Sequence, residues 1–150
     1  MYEIEILTKK GFKNVRGEHT LSEISGIGVK DVNKVEYSAL YSILGDISSA
    51  EAKTIGCELL SDKITETFQV KKDGVSSKSA AVIEVWFKRG VTDTVADSVV
   101  KAVKDLGITK DISVKTGHKY YLYGKVSRSV LDKIATGLLA NTLIQEYKIK

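Results

Sequence analysis

The apolar positions of this chain change period as it is read, from two to about 3.6 and back, and the changes mark elements. Ala81 to Phe87 is rich in β-branched and aromatic residues, which predicts a strand. Arg89-Gly90 then turns the chain. From Thr94 onward, Val95, Val99, Val100, Val103 and Leu106 follow helical spacing, and Gly107 stands where a left-handed C-terminal cap is expected. Ile112 and Val114, then Tyr120, Leu122 and Val126 around Gly124, alternate with polar neighbours, which predicts an antiparallel hairpin with a short turn near Gly117. Ser127 reads as an N-cap for a helix carrying Val130, Leu131, Ile134, Leu138 and Leu139 on one face. Ile144, Tyr147 and Ile149 alternate in a closing strand.

The same order of strand, helix, strand, strand, helix, strand is predicted earlier, over Tyr2–Leu7, about Asn14–Ile27, Val32–Glu36, Tyr41–Ile47, Ser48–Leu60 and Thr65–Val70. Sliding the sequence by 79 positions aligns residues 2–71 with 81–150 and needs no gap. Identities under that shift include Ile4/Ile83, Glu5/Glu84, Lys9/Lys88, Gly11/Gly90, Gly28/Gly107, Tyr41/Tyr120, Gly45/Gly124 and Leu59/Leu138. Between the copies, Lys72–Ala80 is the one polar, Ser-rich stretch and reads as a linker. The expected fold is α+β, with two ferredoxin-like βαββαβ modules at 1–71 and 81–150. A module of about 70 residues buries a limited core alone, so the two are expected to dock as an intrachain pseudo-dimer.

Composition removes several functions. The 150 residues are 43% hydrophobic and 28% charged, close to the globular average. Cys57 is the sole cysteine, and His19 and His118 the sole histidines, so these types cannot build a zinc site, disulfide or Cys-His dyad within one chain. No pattern calls for a metal, a cofactor or catalytic residues. No apolar run approaches the roughly 18 residues needed to span a bilayer, and the start does not resemble a signal peptide, so a cytoplasmic protein is expected. The net charge of +4 is unevenly placed: residues 2–71 carry nine Lys/Arg against eleven Asp/Glu, and residues 81–150 carry twelve against seven. Acids such as Glu84, Asp97, Asp105 and Asp132 interrupt the basic half, which favours a solvated surface over a nucleic-acid track.

Three segments carry a family resemblance: Ile83-Glu84-Val85-Trp86-Phe87-Lys88-Arg89-Gly90-Val91-Thr92-Asp93, Tyr121-Leu122-Tyr123-Gly124, and Ile134 to Tyr147 with Leu139-Ala140-Asn141-Thr142-Leu143-Ile144. They resemble the small PurS subunit of formylglycinamidine ribonucleotide synthase, in which a strand ends in Lys-x-Gly-x-x-Asp and the last helix runs into Leu-x-Asn-Pro-x-Ile-Glu. Thr142 stands where that family has proline, and in the first half Asn14 replaces the Asp and Ser61-Asp62-Lys63-Ile64 the Asn-Pro segment. Two such modules in tandem are similar to the N-terminal region of certain longer PurL synthetase chains, where they look like a fused PurS dimer. The resemblance implies a non-catalytic part of an ATP-dependent amidoligase, with no activity in the isolated chain. Its implied partners are the synthetase (PurL) domain or subunit and the glutaminase (PurQ), bridged so that ammonia passes between them without escaping to water.

Lys9-Lys10-Gly11 and Lys88-Arg89-Gly90, with Asp93, recur between the first strand and first helix of each half. There, cations and backbone amides could meet a partner's carboxylates; the competing reading is a solvated turn needing glycine. Tyr120 and Leu122 share one strand face and Tyr121 and Tyr123 the other, so packing is favoured over base stacking. His118 reads as a loop residue and Cys57 as a small apolar filler. The alternative function is an ACT-like small-molecule sensor, since paired ferredoxin-like modules of that type also place a glycine between first strand and helix. RNA binding ranks below both. The pseudo-dimer is expected to be monomeric or to pair again as a homodimer, and neither membrane nor nucleic acid is expected as a partner.

Overall fold

The computed structural model describes residues 1–72 and 80–150; the linker reading at Lys72–Ala80 lies outside the described residues apart from its two ends, and Lys72 closes a strand. The chain runs β1 (Tyr2–Thr8), α1 (Val15–Gly26), β2 (Val32–Gly45), α2 (Ser49–Ile55), a π-helical turn (Gly56–Leu60) and β3 (Glu66–Lys72). It continues as β4 (Ala81–Phe87), α3 (Thr94–Asp105), β5 (Ile112–Gly124), α4 (Arg128–Ile134), a second π-helical turn (Ala135–Leu139) and β6 (Gln145–Ile149). The fold is α+β, as the alternating periods require. Helix ends follow the sequence signals: Ser48 and Ser127 cap α2 and α4 through their hydroxyls, and Gly28 and Gly107 adopt positive φ just past α1 and α3. No helix among the described residues is long and apolar enough to cross a membrane.

The expected hairpin is absent. β5 is a single strand, pairing antiparallel with β4 from Leu122 opposite Ala81 through Gly117 opposite Trp86, and β2 is likewise unbroken. A tight reversal needs residues with positive φ, and Gly117 is not one of the positive-φ glycines. Its missing side chain makes room instead: a Cβ there would stand 2.7 Å from the Trp86 ring. In the first half the corresponding stretch, Tyr37-Ser38-Ala39-Leu40, contains none of Gly, Pro, Asn or Asp. Gly117→Val is therefore expected to lower stability by about 1–3 kcal/mol through overpacking, and an unchanged urea midpoint would contradict this role.

Unbroken β2 and β5 change which residues pack together. Two compact units form, and the chain passes between them after Phe12, Ser38, Val91 and Thr116. One unit takes β1, β3, α2 and its π-helical turn, and β2 from Ala39, and adds α3 with the start of β5; its strand order is β3-β1-β2-β5. Its core sets Ile4, Ile43 and Ile55 against Val99, Val103 and Ile108. The other takes β4, β6, α4 and its π-helical turn, and β5 from Gly117, and adds α1 with β2 up to Ser38; its order is β2-β5-β4-β6. Its core sets Ile83, Leu122 and Ile134 against Ile24, Val29 and Val35. Each unit thus holds the four strand segments and two helices of a ferredoxin-like module, with one helix and one half-strand supplied by the other half of the sequence. Residues 1–71 and 81–150 each contribute to both units.

The antiparallel pairings follow alternation. β1 lies between β2 and β3, with Ile4 opposite Tyr41 and Val70, and β4 lies between β5 and β6, with Ile83 opposite Tyr120 and Ile149. Within the first unit, burial pushes the Tyr41 phenol above its ordinary 10.0, with the Glu66 and Asp93 carboxylates adding to the shift. A neutral phenol favoured by folding contributes stability that is complete below the unfolded pKa and is lost as pH rises through the higher folded pKa. Tyr41→Phe is expected to flatten the loss of thermal stability above pH 10, and a Tm profile parallel to that of the unsubstituted chain would contradict this.

Candidate functional site

The two lysine-glycine segments form matching turns. The Lys9 carbonyl accepts from the Phe12 amide and the Lys88 carbonyl from the Val91 amide, each at 3.1 Å. Gly11 and Gly90 occupy the third position with φ of 92° and 85°, the left-handed geometry of a type II turn. A Cβ at either would meet nothing within 4 Å, so glycine is needed for its backbone angle rather than for close approach. Lys10 and Arg89 stand exposed at the turn corners. The other two cations bond to a neighbouring loop: the Lys88 ammonium donates to the Thr142 carbonyl at 2.6 Å, and the Lys9 ammonium donates to the Lys63 carbonyl. Backbone bonds reinforce both, from the Lys9 amide to the Thr65 carbonyl and from the Lys88 amide to the Ile144 carbonyl, each 2.8 Å.

Each turn is thereby fastened to the loop that follows the π-helical turn, and that loop is braced again from within. In the second half, the Asn141 carboxamide oxygen accepts from the Leu143 amide at 3.1 Å, and the Gln145 side-chain oxygen accepts from the Asn141 amide at 2.8 Å. The first half repeats this with Asp62, which accepts from the Ile64 amide at 2.8 Å, and Glu66, which accepts from the Asp62 amide at 2.9 Å. These are Asx turns, which Asn and Asp favour because their short side chains reach the backbone two residues on. At the tips the apolar side chains point outward: Leu143 is 85% exposed and Ile64 74%. Sequence reasoning missed both, because the alternation of β6 and β3 draws attention to Ile144 and Tyr147 and treats the loop as a connector.

Asp93 does a different job from the lysines. It caps α3, accepting from the Ala96 amide at 3.0 Å, and also accepts from the Thr116 amide at 2.9 Å and from the Thr116 hydroxyl. Asn14 plays the same part at α1, where its oxygen accepts from the Gly17 and Tyr37 amides and its amide group donates to the Tyr37 carbonyl. These contacts hold each helix start to the strand that follows it. Asp93 packs in the first unit and Lys88-Arg89-Gly90 in the second, because the chain changes unit just after the turn. Asp93→Ala is expected to cost about 1–2 kcal/mol by loss of the cap and of the Thr116 bonds, read by thermal unfolding.

The remaining candidates are structural. His118 is no loop residue; it lies within β5 opposite Val85, and its Nδ1 meets the Tyr37 hydroxyl at 2.6 Å. The reason is again the missing turn. Arg16 stacks on the Tyr37 ring at 4.1 Å. His19 sits on α1 beside Glu23 at 2.7 Å, and Cys57 is half-buried in the first π-helical turn. Tyr120 and Leu122 are in the second unit's core and Tyr121 is buried near the Lys119 ammonium, so these aromatics pack instead of forming an open stacking platform. Glu84 is buried and accepts from Lys150 at 2.7 Å and from the Trp86 indole at 3.2 Å, a satisfied pair beneath the sheet edge.

In a comparison with protein families, residues 80–150 match PurS, described as phosphoribosylformylglycinamidine (FGAM) synthase. The matched residues include the Lys88 turn, the Asp93 cap and the Asn141 loop. No curated protein matches the chain.

Proposed function

We propose that this chain is a non-catalytic, PurS-like component of FGAM synthase, acting in de novo purine biosynthesis either as a separate subunit or as the N-terminal domain of a longer synthetase. Its role is to hold the ATP-using synthetase (PurL) and the glutaminase (PurQ) together so that ammonia released from glutamine reaches the amide being converted. The observation that carries this reading is the PurS match over residues 80–150, covering the turn and loop that the structure ties together through Lys88. The first half supports a second module of the same kind, since β1, α1, α2 and the π-helical turn start 79 residues before β4, α3, α4 and the second π-helical turn. We read the chain as a duplicated module whose halves have exchanged a helix and a half-strand. On this reading Lys9, Lys10, Gly11, Lys88, Arg89, Gly90 and Asp93 are partner-binding residues, with the exposed Lys10 and Arg89 meeting the partner and the others holding the local shape of their own unit.

Reconstitution tests the proposal. With synthetase and glutaminase present, adding the chain is expected to raise glutamine-dependent FGAM formation at least tenfold while changing the ammonia-dependent reaction far less. Equal effects on both reactions, or none on either, would reject the bridging role. Tight calorimetric binding of an amino acid, with no affinity for either enzyme part, would favour the ACT-like sensor instead.

A further inference from the structure

Exposed large apolar side chains are unremarkable when scattered, and informative when they recur at equivalent sites on rigid supports. Leu143 and Ile64 are 79 positions apart, each at the tip of an Asx turn, and each is far more exposed than an aliphatic side chain of the core. Their loops are not loose. The carbonyl just before each tip accepts from a lysine ammonium, Lys88 on Thr142 and Lys9 on Lys63, and the amide two residues before each tip donates to a side-chain oxygen, Gln145 on Asn141 and Glu66 on Asp62. Braced in this way, the tip has little conformational freedom left to lose on association, which is the condition under which an exposed aliphatic side chain yields affinity.

The surroundings specify the partner. Beside the Leu143 loop stand Lys88 and the exposed Arg89; beside the Ile64 loop stand Lys9 and the exposed Lys10, while the Lys63 ammonium is paired with Glu58 at 3.2 Å. A receiving surface that accommodates both features has an apolar pocket for the tip and carboxylates around its rim for the corner cation. We propose that Leu143 and Ile64 are anchor residues, each inserting into an apolar, carboxylate-rimmed pocket on a protein component of FGAM synthase. The inference rests on the proposed function and sharpens it, since it moves the binding energy from the lysines to the loop tips and gives the lysines the task of bracing and steering.

The test uses the full chain and a mixture of synthetase and glutaminase, with binding followed by sedimentation velocity. Leu143→Ser and Ile64→Ser are expected each to weaken binding at least tenfold and together at least a hundredfold, with Tm unchanged because neither side chain is packed. Leu143→Met should restore most of the affinity. Arg89→Ala and Lys10→Ala should slow association and reduce its salt dependence while leaving dissociation nearly unchanged. If the unsubstituted chain binds and the double serine variant binds within twofold of it, the anchor assignment is wrong while the bridging role stands. If the unsubstituted chain does not bind, the bridging role fails and the anchor assignment with it. Self-association of the chain that is abolished by Leu143→Ser would make the occupant a second copy and overturn the assigned partner.

Discussion

Residues 81–150 produced alone are expected to sediment as a homodimer and to have no folded monomer at micromolar concentration. The second unit's core sets Ile83, Leu122 and Ile134 against Ile24, Val29 and Val35, and the last three come from the first half of the chain. Without them the sheet of β4, β5 and β6 exposes the apolar face it uses for folding, while α3 loses the Ile4, Ile43 and Ile55 surface on which Val99 and Val103 pack. A fragment of about 70 residues has no surplus of buried area to absorb both losses. The repeat offers the remedy. Val103, Ile108 and Val114 occupy the positions equivalent to Ile24, Val29 and Val35, so the α3 and β5 start of a second copy can fill the vacant site, and reciprocally. A monomeric fragment with cooperative unfolding would show that α3 can pack on its own sheet, against this expectation.

Ile24→Ala is expected to cost about 2–5 kcal/mol, because the side chain is completely buried and its removal leaves a cavity. The distribution of the damage matters more than its size. Ile24 belongs to α1, early in the chain, yet the core cluster it joins draws Ile83, Val85, Leu131 and Ile134 from the second half. Native-state hydrogen exchange should therefore accelerate most in β4 and α4 and least in β1 and β3. The reverse pattern, with β1 and β3 losing protection first, would place α1 on the sheet of its own half. A loss below 1 kcal/mol would contradict its core position altogether.

The elements were legible in the sequence because each is written in local chemistry. Period-two alternation marks β1, β-branched and aromatic content marks β4, helical spacing marks α3, and Ser48, Ser127, Gly28 and Gly107 mark helix ends whose geometry depends on a few adjacent residues. Gly117 misled the reading since a glycine between two alternating stretches serves equally as a turn or as room for a neighbouring ring, and only the Trp86 indole across the pairing decides between them. The exchange of α1 and α3 followed from that one difference. With no reversal at Tyr37 to Leu40 or at Gly117, the two ends of each long strand serve different compact units, which no window of local sequence reveals. At the candidate site, the glycines were legible from the turn they permit, whereas the division of labour between bracing Lys88 and exposed Arg89 depends on the Thr142 carbonyl, 54 residues away from Lys88. Leu143 and Ile64 pair under the 79-residue shift, but an apolar residue two positions before a strand reads as part of the core pattern and not as an exposed tip.

Methyl–methyl nuclear Overhauser measurements on the full chain, with isoleucine and valine methyls labelled and the core resonances assigned, address the exchanged packing directly. Cross-peaks are expected from Val103 to Ile4, Ile43 and Ile55, and from Ile24 to Ile83 and Ile134. Cross-peaks from Val103 to Ile83 and Val85, with Ile24 joined to Ile4 and Ile43, would place each helix on the sheet of its own half and contradict the account.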